Sequence, residues 1–455
     1  VIPDPFVPHT PNTIVAISTP PGRGGIGIVR LSGARSLAIA GTLLRPAKPL
    51  APNHATLAKI LGPSGETLDE ALVTFFKGPH SYTSEDVVEI AAHGAPVLLA
   101  YLVEASIEAG ARLAEPGEFT QRAFISGRLD LTQAEAVHDL IAAQTLHQAR
   151  VAAAQLGGST SQAIAPIKRD LITLIASLEA GVDFAEDDLD LLPEAEILRQ
   201  LENIRDCLQT LAQTSAYGRI VRDGAKLAIV GLPNAGKSSL FNRLLQRERA
   251  IVTAHPGTTR DPISERLSLA GIPIELIDTA GLRDVPETPE SEPERIGIAR
   301  SRATLADADL VLHVLDASAP PHPEDLTLQA SLTARPYLRV LNKSDLTSIP
   351  PETGAIATSA LTGAGLDTLR EAIIAQLAAA PPADSPILTN IRQSQAVSDA
   401  LAALATALQA AATEIPHEFL LLDLHAALEA LDRLTGATAP DDILSLIFST
   451  FCIGK

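Results

Sequence analysis

The chain has 455 residues, of which 46% are apolar and 20% charged, and a net charge of −19. That length exceeds one ordinary core and predicts two to four domains, with enough apolar residues to fold them. The excess acid lies in 126–218 and 381–455, where 9 basic face 23 acidic residues, which excludes the exposed faces of those segments as binders of a phosphate backbone.

No run of about eighteen uncharged apolar residues occurs, and the opening "VIPDPFVPHTPN" lacks the basic and apolar segments of a leader, so a cytoplasmic protein is expected. Cys207 and Cys452 are the only cysteines and are expected to be free thiols. Met and Trp are absent.

Residues 13–120 alternate short β-like runs ("NTIVAIST", "GIGIVRLSG", "ALVTFF", "DVVEIAAHG") with the helix-like "PVLLAYLVEASIEAG", an α+β pattern. The glycine-rich "GRGGIGIVR" precedes a strand rather than a helix, which predicts a tight hairpin turn and not a phosphate cradle. From Ala123 to about Tyr217 the chain is Ala-, Leu- and Gln-rich with helical periodicity, interrupted by "FAEDDLDLLPEAE". Residues 224–380 alternate strands and helices in the order of a parallel sheet. After the linker-like "AAAPPADSP" (378–386), amphipathic helices return in "SQAVSDALAALATALQAAATEI" and "FLLLDLHAALEALDRLTG". The pattern predicts an α/β domain inserted into a helical one.

The segment "KLAIVGLPNAGKSSLFNRLL" (226–245) sets an apolar strand, then G-x-x-x-x-G-K-S from Gly231 to Ser238, then an apolar-periodic helix. Chemistry requires this order: flexible glycines let backbone N–H groups wrap phosphates at a helix N-terminus, Lys237 reaches the terminal phosphates, and Ser238 offers an oxygen to Mg²⁺. "IELIDTAGL" (274–282) is a buried strand ending at Asp278, which holds Mg²⁺ through water, and Thr279, Ala280 and Gly281 follow as a backbone that senses a γ-phosphate. "LRVLNKSD" (338–345) runs into Asn342, Lys343 and Asp345; that Asp accepts both guanine N1–H and the N2 amino group, which adenine does not offer. "ATSALTG" (357–363) backs the base with Ser359 and Ala360. Asn234, Ala235, Gly236 and Ser239 complete the loop around the phosphates.

This ordered set resembles the GTPases among the P-loop proteins. In Ras-like members a Gln after D-x-x-G orients the attacking water; Leu282 stands there and cannot. Asn234 and "TAHPGTTRD" (253–261) resemble the potassium-binding asparagine and loop of GTPases activated by nucleotide-dependent dimerisation, which implies K⁺ near Asn234, Thr253, His255 and Thr258, and Thr259 as the second Mg²⁺ ligand. An ordinary turn residue is the other reading of Asn234. In the acidic "RDVPETPESEPERIGIARS" (283–301), "ERIG" matches the position of a distant catalytic glutamate in one GTPase family, which implies Glu294, with Glu292 and Glu290 as alternatives.

Together with "PPGRGGIGIVRLSG", "SYTSEDVVEIAAHG", "EPGEFTQRAFISGRLDLTQAEAVHDLI" and the final "FCIGK", the whole resembles the family of tRNA uridine 5-carboxymethylaminomethyl modification GTPases. The resemblance implies a multidomain α/β and α+β fold: an α+β folate-binding and dimerisation domain at 1–122, a discontinuous helical domain at 123–218 and 381–455, and an inserted Ras-like P-loop GTPase domain at 219–380. It implies GTP, Mg²⁺, K⁺ and a tetrahydrofolate derivative (5-formyl or methylene form) as cofactors. It further implies a homodimer that works with a flavin-containing MnmG-type partner in a heterotetramer or larger complex, on the wobble uridine of tRNA, with no membrane. Arg30, Glu89, Arg128 and Lys455 would line the folate pocket, cations pairing with a glutamyl tail and the carboxylate with the pterin ring; taken singly, each reads as a surface charge. A regulatory GTPase switch without modification chemistry is the rival function.

Cys452 stands fourth from the end, the spacing of a prenylation box, but Lys455 and Gly454 do not fit that signal and no polybasic run supports it. The expectation is that the tail folds back to the one-carbon site, with Cys452 either a nucleophile or a small buried apolar residue.

Overall fold

The computed structural model describes residues 12–183, 192–247, 264–278, 307–320, 322–333, 335–347, 354–377, 382, 385–413, 416–438 and 441–454. Two compact units emerge: Val1–His138 with Asp432–Lys455, and Asp139–Leu431.

The first unit is built on a seven-stranded sheet of β1 (Ile14–Ile17), β2 (Gly24–Ser32), β3 (Leu44–Pro46), β4 (Ala55–Leu61), β5 (Thr67–Phe76), β6 (Val87–Gly94) and β7 (Arg112–Leu113) in the order 3-4-5-6-2-1-7. β7 runs parallel to β1 and the other pairs are antiparallel. Strict alternation in "ATLAKIL" turns Thr56, Ala58 and Ile60 inward and leaves Ala55, Leu57 and Lys59 outside. Helices α1 (Ser36–Leu43) and α2 (Pro96–Glu108) cover the inner face, with Ile39, Leu99 and Leu102 meeting Val29, Leu31, Val73 and Ile90. The glycine-rich run is not confined to a turn: Gly24, Gly25 and Gly27 belong to β2. A Cβ on Gly27 would collide with the Leu99 side chain, so this glycine is there for close helix–sheet packing.

After β7 the chain forms α3 (Glu118–Ile125) and α4 (Leu131–Ala142). The helix Asp441–Ser449 joins this unit through an aromatic cluster, in which Phe448 and Phe451 are buried with Ala134 and against Phe124.

In the second unit, helices α5 (Leu146–Leu156), α6 (Ser159–Asp183), α7 (Glu194–Ala212) and α8 (Ser215–Asp223) lead into an α/β domain. α5 starts at a capping box, Thr145 accepting from the Gln148 backbone N–H while the Gln148 side chain reaches back. The domain comprises β8 (Ala225–Val230), α9 (Lys237–Arg247), β9 (Ser264–Leu269), β10 (Ile272–Asp278), β11 (Leu310–Asp316), α10 (Pro323–Leu332), β12 (Tyr337–Asn342), β13 (Ala355–Ala357) and α11 (Leu366–Leu377). Its six-stranded sheet has the order 13-12-11-8-10-9, and only β9 is antiparallel. β8 and β11 read as nearly unbroken apolar runs because both faces of a parallel sheet are covered. α12 (Ile391–Ala411) packs on α7, and α13 (His417–Thr435) follows. Among the described residues no helix is long and apolar enough to cross a membrane.

Candidate functional site

The C-terminal ends of β8, β10, β12 and β13 gather the loops that sequence reading singled out, at the edge where open α/β sheets take ligands. Between β8 and α9 the chain turns through Gly231 (φ 150°), Asn234 (φ 64°) and Gly236 (φ 86°). A Cβ on Gly231 would strike the Val314 carbonyl oxygen, and one on Gly236 would strike Asn342 Nδ2, so both positions require glycine. This tight loop delivers its N–H groups to the first turn of α9, a place for an anion. Lys237, 8% exposed, opens α9 and donates from Nζ to the Leu232 carbonyl at 2.8 Å. Asn234, Ser238 and Ser239 are exposed and Ala235 is buried.

Asn342, 1% exposed at the end of β12, joins three loops. Its Nδ2 donates to the carbonyls of Ala235 (3.1 Å) and Gly236 (3.3 Å), and its Oδ1 accepts from the Ala360 N–H (3.1 Å). Lys343 follows in the left-handed region (φ 64°), and its Nζ lies 2.6 Å from Asp316 Oδ2 at the end of β11. Asp345 Oδ1 accepts from Ser359 Oγ at 2.5 Å, and Ser359 Oγ in turn accepts from the Thr362 N–H. The glycine loop, Asn342, Lys343, Asp345, Ser359 and Ala360 are thus one connected arrangement, with Asp345 exposed at its edge. Burial works against the Asp316 carboxylate, yet Lys343 and Ser318 hold it below the usual carboxylate range.

Asp278 ends β10 in the same row; its side chain lies outside the described residues, as do Thr253, His255, Thr258, Thr259, Thr279, Ala280, Gly281 and the acidic loop with Glu290, Glu292 and Glu294. Among the described residues no group of three or more His, Cys, Asp or Glu side chains could hold a metal ion. The Ser238 hydroxyl suits Mg²⁺ all the same, since that ion commonly takes one or two protein ligands and completes its shell with phosphate and water.

A second arrangement lies in the first unit. Arg30 on β2 and Glu89 on β6 are cross-strand partners, Arg30 Nε donating to Glu89 Oε1 at 2.9 Å with NH2 at 2.8 Å. The guanidinium sits over two rings, 5.6 Å from the Tyr82 centroid and 5.5 Å from that of Phe119. Neither ring stood out in the sequence, because each is distant from Arg30 along the chain. Burial pushes the Tyr82 hydroxyl up, while Arg30 and Arg128 pull it back, so Arg128 shares this field although its own side chain is exposed. Phe119 follows Glu118, whose buried carboxylate accepts from Arg112 (2.6 and 2.9 Å), Arg122 (2.9 Å) and the Glu115 N–H (2.9 Å). Such a network fixes the start of α3 and hence the ring beneath Arg30.

The last described residues reach the same region. Ile453 forms a β-bridge with Pro116, Ser18 Oγ donates to the Gly454 carbonyl at 3.1 Å, and a Cβ on Gly454 (φ 95°) would collide with the Ile17 carbonyl oxygen. Cys452 is a free thiol and exposed, so the buried, apolar alternative does not hold; Cys207 is likewise free and exposed. Lys455 lies outside the described residues.

Comparison with known proteins places both units. The profile "MnmE helical domain" matches residues 131–452, and "GTP-binding protein TrmE N-terminus" matches residues 13–128. A tRNA modification GTPase MnmE from Koribacter versatilis (strain Ellin345) is 52% identical, covering 98% of this chain and 99% of its own length. Proteins of the same name from Aquifex aeolicus (strain VF5) and Symbiobacterium thermophilum (strain DSM 24528 / JCM 14929 / IAM 14863 / T) are 41% and 44% identical, each covering 97% of this chain and 99% of its own length.

Proposed function

The chain belongs to the MnmE family of tRNA modification GTPases, and on that premise we propose that it hydrolyses GTP in a potassium-dependent cycle of G-domain dimerisation that serves modification of the tRNA wobble uridine. The observation that carries the reading is Asn342, whose side chain ties the anion loop to the Ala360 backbone beside Asp345. An exposed Asp345 carboxylate held by Ser359 beside that tie suits a base offering two donors to one carboxylate, which is guanine.

In this reading the N–H groups of the loop Gly231–Ser238 hold the phosphates, Lys237 leaves the Leu232 carbonyl for the terminal phosphates, and Ser238 with Thr259 holds Mg²⁺. Asp278 orients that ion's water, and Thr279, Ala280 and Gly281 respond to the γ-phosphate. Asn234, already in the left-handed region that turns its backbone at the loop crest, contributes to a K⁺ site with Thr253, His255 and Thr258. K⁺ would supply positive charge where other GTPases place an arginine finger. Glu294 orients the attacking water.

The first unit binds a reduced folate. Arg30 lies over two aromatic rings and pairs with the Glu89 carboxylate, a setting that fits a flat heteroaromatic ring with a charged tail. Arg128 and Lys455 add cations, and Cys452 is accessible for chemistry at the one-carbon unit. The folate would supply the carbon for C5 of uridine. A flavin-containing MnmG-type subunit would supply redox chemistry, and two copies of this chain would form the core of the complex.

The test is hydrolysis of GTP and ATP by the purified chain in KCl and in NaCl. Fast GTP turnover in KCl alone, with ATP inert, is expected; equal rates in both salts would remove the potassium role of Asn234, and ATP turnover would remove the base assignment.

A further inference from the structure

The capping box that opens α5 precedes the α/β domain in the chain, yet it grips two strands of that domain at their starts. Thr145 Oγ1 accepts from the Gln148 N–H (3.1 Å) and donates to the carbonyl of Gly271 (2.5 Å), in the two-residue turn between β9 and β10. Gln148 Oε1 accepts from the N–H groups of Gln144 (2.8 Å) and Thr145 (3.1 Å), while its Nε2 donates to the Arg222 carbonyl (2.9 Å), near the end of α8 and just ahead of β8. One side chain thus holds the lead into β10 and the other the lead into β8.

Both grips are closely fitted. The turn has positive φ at Ala270 (50°) and Gly271 (85°), the pattern of a type I′ hairpin, and a Cβ on Gly271 would collide with His147 Cβ. His147 Nε2 lies 2.9 Å from the Tyr217 hydroxyl on α8, and Val151 of α5 packs against the core of the α/β domain. Between the two strand starts, a Cβ on Gly224 would strike the Pro273 carbonyl oxygen. Gln148 is buried with its amide oxygen and nitrogen both in use.

β8 and β10 are adjacent and parallel, in register from Ala225 opposite Ile274 to Ile229 opposite Asp278. β8 runs into the glycine loop, and β10 ends at Asp278, six steps beyond Ile272, or about 20 Å along an extended strand. An extended strand is stiff along its length, so an offset set where α5 holds the two starts reappears at their far ends.

We propose that Thr145 and Gln148 are positioning residues for GTP hydrolysis: by clamping the starts of β8 and β10 they set the lengthwise offset of the two strands, and with it the spacing of Ser238 and Asp278 around Mg²⁺. The proposal rests on reading those two residues as the holders of that ion. Mg²⁺ tolerates little departure from octahedral geometry, so a small offset is felt first at the metal. The base loops follow β12 and β13, on the other side of β8 in the strand order, so guanine binding without the metal is independent of the clamp.

The experiment is single-turnover GTP hydrolysis by the full chain against Mg²⁺ concentration, with GDP binding in the absence of Mg²⁺ alongside, for Thr145→Asp, Gln148→Glu and Thr145→Ser. The first two substitutions keep the accepted backbone bonds of the capping box but cannot donate to the Gly271 and Arg222 carbonyls, whereas Thr145→Ser keeps both functions. Thr145→Asp and Gln148→Glu are each expected to raise the Mg²⁺ concentration for half-maximal turnover about fivefold, with Mg²⁺-free GDP affinity unchanged and Thr145→Ser behaving as wild type. An unchanged Mg²⁺ requirement in the first two variants, a matching fall in their Mg²⁺-free GDP affinity, or a Thr145→Ser variant as impaired as Thr145→Asp would each overturn it. A wild-type chain whose GTP turnover needs no Mg²⁺ would instead overturn the metal reading itself, so the two failures are distinguishable.

Discussion

Replacing Asn342 by Ala and by Asp separates a structural tie from a mere polar residue. The Ala variant removes two donated bonds, to the Ala235 and Gly236 carbonyls, and one accepted bond from the Ala360 N–H. At about 1 kcal/mol each in net terms, the loss is about 3 kcal/mol, divided between folding and nucleotide binding. Assigning about half to binding gives a tenfold to thirtyfold weaker GDP affinity, on the order of 1.4–2 kcal/mol. The Asp variant keeps an acceptor for Ala360 but replaces the donor by an anionic oxygen facing two carbonyls. It is therefore worse than Ala, by about a further tenfold, although Asp is nearer to Asn in shape. Isothermal titration with GDP and urea unfolding of the nucleotide-free chain measure the two shares. An Asp variant that binds as well as wild type, or better than Ala, would refute the argument, because it would mean that Nδ2 does not hold the anion loop.

Three further outcomes are expected. Glu294→Ala is expected to abolish GTP turnover with GTP affinity retained, measured by phosphate release and equilibrium binding; an unaffected rate moves the water-orienting role to Glu292 or Glu290. Gly454→Ala forces a Cβ against the Ile17 carbonyl and places a side chain at φ 95°, so, on the proposed folate reading, affinity for 5-formyltetrahydrofolate is expected to fall about tenfold, on the order of 1–2 kcal/mol of left-handed strain; unchanged affinity detaches the tail from the proposed folate site. His147, whose Nε2 lies 2.9 Å from the Tyr217 hydroxyl, has its imidazole pushed below the ordinary value by burial and then by Arg150. Its stabilisation is fully present above the unfolded value near pH ~6.5 and is lost as pH falls through the folded value, with a slope of at most about 1.4 kcal/mol per pH unit. His147→Phe removes that component from the pH dependence of melting, and identical wild-type and variant profiles between pH 7 and pH 5 (about one unit either side of the unfolded value) would show that the pair does not titrate with folding.

The loops of the candidate nucleotide site were singled out in the sequence because the parts of each are local. A strand, a glycine loop and a helix are adjacent in the chain, and Asn342 to Asp345 and Ser359 to Ala360 each sit at the end of their own strand. What holds those parts together was not legible. Asp316 reaches Lys343 only because β11 and β12 pair in parallel with Asp316 opposite Asn342, a register that hydrophobic runs do not specify. Tyr82 and Phe119 come under Arg30 from a loop and a helix with no periodicity in common. The glycines at 24–27 read as a turn since nothing local shows that Leu99 of α2 presses on Gly27. Cys452, small and set in "STFCIGK", read as a candidate for burial, yet the neighbouring Phe448 and Phe451 fill the apolar cluster and leave the thiol outside.

The most direct test of the account is the C5 substitution of wobble uridines in tRNA, measured by nucleoside mass spectrometry in a strain lacking its own copy and complemented with this chain. The account predicts restored carboxymethylaminomethyl uridine with the intact chain and none with Lys237→Ala. Unmodified uridine in cells that contain the intact, GTP-hydrolysing chain together with the proposed flavin-containing subunit would contradict it and favour a regulatory switch.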